Sequence, residues 1–338
     1  MRLVVTGGLG YIGSHCAVEL AREGHRLHII DNLANASPSV LERIRELAPG
    51  AAVDFAQADT RDAAAMERVF AGASADAVLH FAGLKSVRES VAEPARYRDN
   101  NVGGTRSLLA AMERHGVERI VFSSSATVYG EPEHLPCTER HPLKPSNPYG
   151  ETKLAVERLL EERAAARASF RYAALRYFNP IGAHPSGRIG EDPRGTPENL
   201  LPYLTRVALG RMPRLRVFGG DYGTVDGTGV RDYLHVMDLA AGHLAALRYL
   251  EDRGRSITAN LGTGRGYSVL EVIRAFETAT GRKVPYEIVA RRAGDTAASY
   301  ADAALAAREL GWRARLGIED MCRDAWRWQS DNPNGYPD

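Results

Sequence analysis

The sequence has few cysteines and no long apolar run, and each of these features excludes a class of protein. The three cysteines, Cys16, Cys137 and Cys322, lie far apart and in no metal-binding spacing, which favours free thiols in a reducing compartment. No apolar run approaches the ~20 residues of a membrane span. The first residues also lack the apolar core and cleavage site of a signal peptide. We therefore expect a cytoplasmic protein.

An excess of charge of either sign is also missing. The 43 basic and 42 acidic side chains leave a formal net charge of +1, so no overall field points to nucleic acid or to an anionic membrane. The histidines His15, His80, His184 and His235 form no metal-ligand pattern, and we expect them to be structural and the protein to hold no metal. A chain of 338 residues exceeds one core of usual size and predicts two lobes.

Four glycines near the start of the chain, Gly7, Gly8, Gly10 and Gly13, follow a predicted strand at residues 2–6 and precede a predicted helix. They fit G-x-G-x-x-G and the wider G-x-x-G-x-x-G. Glycines permit a tight turn and let the backbone approach a diphosphate. The N–H groups and the partial positive charge at a helix N-terminus favour binding of that anion. Strand, loop and helix together predict a dinucleotide site.

The next predicted strand, residues 27–30, ends at Asp31 and Asn32. An acid about 20 residues after the glycine loop, at the end of the second strand, is positioned to bind the hydroxyls of the adenosine ribose. Its charge would repel a 2′-phosphate, so NAD is favoured over NADP. Taken alone, Asp31 also fits an ordinary solvated residue at a strand end.

Strands and helices then alternate, which predicts an α/β fold with a doubly wound, parallel Rossmann-type sheet. Ligands of such sheets lie beyond the carboxyl ends of the strands, where Asp59, Ala82, Gly83 and residues 123–125 fall. A dimer seam and core packing both remain open for the long helices at 94–115 and 149–166. Predicted strands cover residues 53–56, 76–83, 119–122 and 172–179, and a further predicted helix covers residues 63–70.

A segment rich in proline and glycine, residues 180–198, marks the crossing into a second lobe. We expect an NAD-binding Rossmann domain in residues 1–180 and a smaller, mixed α/β lobe that holds the substrate in residues 181–338. A return of residues 230–262 to the first domain stays open. Predicted helices of this part cover residues 199–210, 236–251 and 268–280, and predicted strands cover residues 215–218, 230–233 and 257–261.

Tyr149 and Lys153 stand four residues apart at a predicted helix start, after Asn147 as cap and Pro148 as first residue. This spacing puts the phenol and the ammonium on one face of the helix. A nearby ammonium favours phenolate and would lower the tyrosine pKa from its usual value of about 10. Tyr149 would then be a base near neutral pH. By itself, the pair also fits a surface tyrosine and a solvated lysine.

Motifs along the whole chain resemble the extended short-chain dehydrogenase/reductase superfamily and, within it, the UDP-galactose 4-epimerase family. The segments that carry the resemblance are residues 6–15 (TGGLGYIGSH), 31–33 (DNL), 80–85 (HFAGLK), 100–102 (NNV), 123–130 (SSSATVYG), 149–153 (YGETK), 175–180 (LRYFNP), 190–193 (GEDP), 226–236 (DGTGVRDYLHV) and 328–329 (WQ).

The resemblance implies one tightly held NAD per subunit and a homodimer formed through a four-helix contact. It implies an NAD site made of Gly7, Gly10, Tyr11, Ile12, Asp31, Asn32, Asn35, Asp59, Thr60, Phe81, Ala82, Gly83, Lys85, Asn100, Tyr149, Lys153 and Phe178. It implies catalysis by Tyr149, Lys153 and Ser125. It implies a substrate site made of Ser125, Tyr149, Asn179, Asn199, Leu200, Phe218, Arg231, Tyr233, Arg292, Asp295 and Ser299.

The activity implied by the resemblance is that of an isomerase which inverts C4 of UDP-galactose and UDP-glucose through a 4-keto sugar. Tyr149 would take the O4 proton while hydride passes from C4 to NAD. Ser125 would bind O4, and Lys153 would bind the nicotinamide ribose. The sugar would then turn over and both steps would reverse. Galactose metabolism and the supply of glycan precursors both fit this reaction.

Two other functions fit the same fold. A sugar-nucleotide 4,6-dehydratase typically has Asp-Glu after the active-site hydroxyl residue, whereas Ala126 and Thr127 stand here, and neither transfers a proton at neutral pH. A non-catalytic NAD-binding regulator would be expected to lose the pair of Tyr149 and Lys153, which this chain retains. Both comparisons favour the epimerase.

Substrate range depends on Ser299 in the resembling family. A tyrosine at this position goes with UDP-glucose and UDP-galactose alone, and a small residue leaves room for an N-acetyl group at C2 of the sugar. Ser299 is small, as are Ala297 and Ala298 beside it. The resemblance therefore implies that UDP-GlcNAc and UDP-GalNAc are also substrates.

Overall fold

A computed structural model describes residues 1–292 and 294–337 of the chain. Its main sheet has seven strands in the spatial order 10-6-5-4-1-2-3, and every neighbouring pair is parallel. The order reverses between the first and fourth strands, which is where such sheets bind ligands. The predicted doubly wound sheet is confirmed. Its strands are β1 (Arg2–Thr6), β2 (Arg26–Asp31), β3 (Val53–Gln57), β4 (Ala77–His80), β5 (Arg119–Ser125), β6 (Arg171–Tyr177) and β10 (Ile257–Leu261).

Helices cover both faces of the main sheet because its strands are apolar on both faces. In β1, Leu3 and Val5 face one layer and Val4 faces the other. The first layer consists of α1 (Tyr11–Arg22), α2 (Ser39–Leu47), α9 (Val236–Arg253) and α11 (Ala304–Glu309). The second layer contains α3 (Ala63–Ala73), α6 (Gly104–Arg114) and α7 (Pro148–Ala166). Within the described residues, no helix is long and apolar enough to cross a membrane.

The predicted long helix at 94–115 is interrupted. It consists of α5 (Pro94–Tyr97), a π-helical segment (Arg98–Gly103) and α6. A short helix that the sequence reading missed, α4 (Val87–Ala92), precedes it. The predicted caps are confirmed at α7, where Asn147 Oδ1 accepts the Gly150 N–H at 2.9 Å, and at α3, where Asp62 accepts the Ala65 N–H at 3.0 Å.

Ser123 and Ser125 lie inside β5, although we expected residues 123–125 beyond the strand. They continue the pairing with β6, opposite Leu175 and Tyr177. A 3-10 turn (Ala126–Tyr129) follows directly. The strand therefore delivers Ser125 to the carboxyl edge of the sheet as its last residue.

The second lobe is built on two small sheets and a separate apolar core. The first sheet contains β7 (Asn179–Ile181), β9 (Val230–His235), β11 (Gly266–Ser268) and β13 (Ala298–Ser299), and the second contains β8 (Leu215–Phe218) and β12 (Tyr286–Val289). The helices of this lobe are α8 (Leu200–Ala208), α10 (Val269–Thr280) and α12 (Ile318–Asp331). Ser268 and Glu271 form the predicted capping box at α10.

Two elements from the second half of the chain belong to the main sheet. β10 pairs with β6 along its whole length, and α9 packs on α1. A cut at residue 180 therefore separates strands of one sheet, and residues 236–261 lie with the first domain in space.

A buried ion pair fixes α7 against β6. Arg176 Nη2 lies 2.6 Å from Glu157 Oε2, and Arg176 Nε donates to Glu157 Oε1 at 2.9 Å. Ser124 Oγ donates to the same carboxylate, and Arg176 Nη1 donates to Tyr129 Oη at 3.2 Å. Because both charges are buried and multiply hydrogen-bonded, removal of either partner leaves an uncompensated charge.

We expect Arg176→Met to lower the free energy of unfolding by about 3–5 kcal/mol, because Glu157 stays buried without its partner. Arg26→Met is the matched control. Arg26 is also a strand arginine paired to a carboxylate, Asp54, at 3.2 Å, but both side chains are more than half exposed. Its loss is expected to be about 0–1 kcal/mol. Urea unfolding measures both, and equal losses would contradict the role assigned to the buried pair.

Candidate active site

A cavity of about 370 Å³ opens at the carboxyl edge of the main sheet. This volume lies within the range typical of small-molecule sites. Every predicted cofactor residue except Phe178 contributes to its wall. Phe178 packs behind it in an apolar cluster with Val128 and Leu154. The catalytic pair Tyr149 and Lys153 lies in the same wall as the glycine loop.

The glycine loop brings backbone close to backbone. Gly7 has φ +67°, and a Cβ there would lie 2.6 Å from the backbone N of Ala82. A Cβ on Gly13 would lie 2.2 Å from the carbonyl oxygen of Gly7. α1 therefore begins directly against the loop. No side chain of the described residues caps α1 at Gly10, which leaves its first N–H groups for an anion. This arrangement fits the diphosphate of NAD.

Asp31 is held at the cavity wall by two backbone N–H groups. Its Oδ2 accepts from Leu9 at 3.1 Å, and its Oδ1 accepts from Leu33 at 2.9 Å. Burial raises the pKa of Asp31, and the two hydrogen bonds oppose that change. Each oxygen keeps a free lone pair. The carboxylate can therefore accept from the two hydroxyls of a ribose.

Asp59 lies in the same wall, at the end of β3. It accepts from Asn32 Nδ2 at 3.0 Å and from Arg61 Nε at 3.0 Å. The hydrogen bonds from Arg61 lower the pKa of Asp59 to about 2. The carboxylate is therefore ionised at any physiological pH and fixes the orientation of the Asn32 amide.

Lys153 hydrogen-bonds the backbone and lies near the Tyr149 ring. Its Nζ donates to the carbonyl oxygen of Ser123 at 2.6 Å and lies 5.8 Å from the centroid of the Tyr149 ring. Burial raises the pKa of Tyr149 to about 12, and the Ser125 hydroxyl opposes this in part. Burial lowers the pKa of Lys153 to about 8, and the Glu157 carboxylate opposes this. The pKa of Tyr149 therefore shifts upward, against the lowering expected from the sequence, because the phenol is buried.

Ser125 has an oriented hydroxyl. Its Oγ accepts from the backbone N–H of Thr127 at 3.2 Å and from Thr127 Oγ1 at 3.0 Å. Because Ser125 Oγ already accepts two hydrogen bonds, the hydroxyl can make one further hydrogen bond, as a donor. The Ser125 side chain faces Tyr149, whose pKa it affects.

The predicted substrate residues of the second lobe converge on β9. Tyr233 pairs with Asn179 of β7, and Arg231 pairs with Ser299 of β13. Arg231 Nη2 also lies 3.9 Å from Asp295 Oδ1. Asn179 follows β6 by two residues, and the last residue of β6 pairs with Ser125. β7 therefore begins next to the end of β5 that carries Ser125.

The remaining predicted substrate residues form two smaller groups. The guanidinium carbon of Arg292 lies 4.1 Å from the centroid of the Phe218 ring. Asn199 precedes α8, and its Nδ2 donates to Glu191 Oε1 at 2.7 Å. Leu200 begins α8 and packs at the margin of the second core.

The cavity is also lined by polar residues that were not predicted as site residues, among them Glu191, Asp192, Arg194, Asn334 and Tyr336. Glu191 accepts from Lys85 Nζ at 2.8 Å, across the cavity mouth. The 190–193 motif was a signal for the first two. Asn334 and Tyr336 come from the end of the chain, where no local pattern indicates a site.

Among residues 1–292 and 294–337, no group of His, Cys, Asp and Glu side chains could hold a metal ion. The histidines noted in the sequence are buried and bonded within the fold. His80, for example, lies between the hydroxyls of Thr6 and Thr105, at 2.6 Å and 2.9 Å.

Comparison with known proteins gives the same assignment along the whole chain. The model of the NAD dependent epimerase/dehydratase family matches residues 3–262. A UDP-glucose 4-epimerase of Bacillus subtilis (strain 168) is 55% identical over 336 residues, which cover 99% of each chain.

Two solved structures are also close. The UDP-glucose-4-epimerase from Stenotrophomonas maltophila with bound NAD and formylated UDP-arabinopyranose matches with a TM-score of 0.96 and 55% identity, over 98% of this chain and 99% of that one. The UDP-glucose 4-epimerase from Bifidobacterium longum in complex with NAD+ and UDP matches with a TM-score of 0.96 and 50% identity, over 99% and 100%. This chain belongs to the NAD-dependent epimerase/dehydratase family.

Proposed function

We propose that this protein is an NAD-dependent isomerase that inverts C4 of UDP-galactose and UDP-glucose through a 4-keto sugar. The observation that carries the proposal is one cavity wall that contains Tyr149, Lys153 and the glycine loop at Gly7 and Gly10. Ser125 adjoins this wall at the end of β5. A phenol, an ammonium and an oriented hydroxyl next to a dinucleotide loop suit the oxidation and reduction of a secondary alcohol.

The protein's own task in this reaction is to move one proton and to hold the sugar. NAD held by the glycine loop and Asp31 would supply the hydride acceptor for C4 and the hydride donor for the opposite face of the ketone. Tyr149 Oη takes the O4 proton and later gives it back to the same oxygen. The Ser125 hydroxyl donates a hydrogen bond to O4 and stabilises the negative charge that develops there.

Lys153 makes the phenol usable as a base. A buried phenol with a pKa of about 12 holds its proton at neutral pH, and the neighbouring ammonium offsets that cost once the phenolate forms. The Lys153 side chain also lies in the cavity wall, where it can donate to the nicotinamide ribose.

The second lobe holds the UDP while the sugar turns. Phe218 offers an aromatic face for the base, and Arg231 and Arg292 offer positive charge for the diphosphate. In this assignment residues 1–180 bind NAD and residues 181–338 bind the UDP-sugar, except for residues 236–261, which pack with the first domain.

The chain lacks the acid that a 4,6-dehydratase requires after its active-site hydroxyl residue. Ala126 has no polar side chain, and the Thr127 hydroxyl is engaged in its hydrogen bond to Ser125. Neither residue can protonate a leaving hydroxyl at neutral pH. The proposal is therefore epimerisation rather than elimination.

We place the enzyme in the cytoplasm because its cysteines suit a reducing compartment. Cys16, Cys137 and Cys322 are free thiols and all three are buried. Burial raises the pKa of each thiol, to about 11 in Cys137. Thiols of this kind are structural and unreactive.

A single activity measurement tests the reaction and the base together. Wild-type protein incubated with UDP-galactose and no added NAD is expected to form UDP-glucose. Tyr149→Phe is expected to keep its NAD and to lose activity by about 10²–10⁴-fold, because no other group takes the O4 proton. Tyr286→Phe, at an exposed tyrosine of β12, is the control. If NAD-loaded wild type forms no product, the proposed reaction is wrong. If Tyr149→Phe keeps full activity, Tyr149 is not the base.

We also propose that UDP-GlcNAc and UDP-GalNAc are substrates. Ser299 pairs with Arg231 of β9, and Ser299 and the neighbouring Ala298 both have small side chains. Wild type is expected to turn over both sugar pairs, and Ser299→Tyr is expected to lose the N-acetyl activity while it retains UDP-galactose turnover. Wild type without activity on the N-acetyl sugars contradicts this substrate range and leaves the main reaction intact.

A homodimer through α7 and the 94–114 segment is the assembly we propose, since two copies of this helix pair make a four-helix contact. Sedimentation of the purified protein is expected to give twice the mass of the 36.8 kDa chain. A charge reversal on the exposed side of α7, as in Arg158→Glu, is expected to shift the mass toward the monomer. Monomeric wild type would contradict the assembly.

A further inference from the structure

The end of the chain crosses back over the cavity. α12 ends at Asp331, and residues 332–337, here called the C-terminal strap, continue along the cavity mouth. Asn334 and Tyr336 contribute to the same wall as Gly7 and Asp31. The first and last parts of the chain therefore enclose one space.

Tyr336 fastens the strap to the 190–194 loop on one side. Its hydroxyl accepts from the backbone N–H of Gly190 at 3.0 Å and donates to the Gly190 carbonyl at 3.1 Å. Its backbone N–H donates to Asp192 Oδ2 at 2.9 Å. All five residues of this loop, among them Glu191 and Arg194, line the cavity as well.

The strap and the 190–194 loop are both tied to the segment that follows Asp31. Ser37 Oγ donates to the Pro337 carbonyl at 3.0 Å. The two outer nitrogens of Arg194 donate to the carbonyl oxygens of Ala34 and Ala36, each at 3.1 Å. Three segments distant in sequence thus meet over the part of the cavity next to Asp31.

The side chain of Arg43 contacts the strap on the side of α12. Its guanidinium carbon lies 5.4 Å from the Trp328 ring centroid and 5.0 Å from the Tyr336 ring centroid. Arg43 Nη1 donates to Asn332 Oδ1 at 2.7 Å. The Trp328 and Tyr336 rings also contact each other, with centroids 4.5 Å apart. The cation over both rings and this ring contact hold the tyrosine in its orientation toward the cavity.

We propose that the C-terminal strap keeps NAD from dissociating, with Tyr336 and Gly335 as the residues that hold it closed. The main sheet belongs to the packed core, whereas residues 332–337 lie outside the helices and strands and are held by a few hydrogen bonds. Local opening of this segment therefore requires less free energy than opening of the core, so it sets the rate of release. This inference rests on the proposed placement of NAD in the cavity and adds a determinant of its retention.

Gly335 provides a test that removes no cavity-lining side chain. It has φ +79°, and a Cβ there would lie 2.1 Å from Asp192 Oδ2. With alanine at position 335, the strap therefore cannot close in the same way. Tyr336→Phe provides a second variant, which removes both hydrogen bonds to Gly190 and keeps the ring on Arg43. Gly281→Ala is the matched control, because Gly281 has φ +69° with no neighbour within 4 Å.

The measurement is the NAD content of the purified proteins and the rate at which bound NAD reaches an NAD-consuming enzyme in the solution. We expect wild type and Gly281→Ala to retain NAD, and Gly335→Ala and Tyr336→Phe to release it at least ~10-fold faster, from the loss of one to two hydrogen bonds. Activity of both strap variants is expected to rise on addition of NAD, unlike that of wild type.

Each outcome decides one point. If Gly335→Ala and Tyr336→Phe retain NAD as firmly as wild type, the proposed role of the strap in NAD retention is wrong. If wild type purifies without NAD and depends on added NAD, the cofactor is not retained and the proposed role of the strap is wrong. Epimerisation in the presence of added NAD would still support the proposed reaction. Urea unfolding in saturating NAD separates faster release from a general loss of the fold, and a Tyr336→Phe variant with wild-type stability and fast release supports the proposal most directly.

Discussion

The buried contact between Glu157 of α7 and Arg176 of β6 is the interaction on which the arrangement of the active site depends. It locks the helix that carries Tyr149 and Lys153 onto the strand that pairs with β5. Ser124 of β5 joins the same carboxylate. One desolvated ion pair thus sets the position of the phenol relative to Ser125, and a buried charge pair of this kind tolerates little displacement.

The same burial imposes a condition on the chemistry. Burial favours the neutral form of both members of the proposed catalytic pair, because it raises the pKa of Tyr149 and lowers that of Lys153. A buried phenolate without the ammonium, or a buried ammonium without the phenolate, costs free energy, whereas the two charges together stabilise each other. In the proposed reaction, proton transfer at Tyr149 is therefore coupled to the charge on Lys153 and, through it, to Glu157.

Local patterns were enough to predict the parallel sheet, the glycine loop and the start of α7. Gly7, Asn147 and Asp62 each have a role that neighbouring residues determine. The π-helical segment at Arg98–Gly103, the direction of the Lys153 ammonium and the position of Tyr336 depend on contacts between distant parts of the chain. No period or spacing encodes such contacts, so the sequence alone did not predict them. The roles of the second-lobe residues came from family resemblance rather than from spacing.

The seven-stranded sheet has a consequence for how the protein is made. Its edge strand β10 spans Ile257–Leu261, and the cavity at the carboxyl edge of the sheet is lined by both Gly7 and Tyr336. A nascent chain can therefore form the first six strands of the sheet early, but it completes the sheet only after residue 261 emerges. The cavity wall is complete only after Tyr336 has emerged as well. A product truncated before Tyr336 would therefore carry a nearly complete fold with an open site.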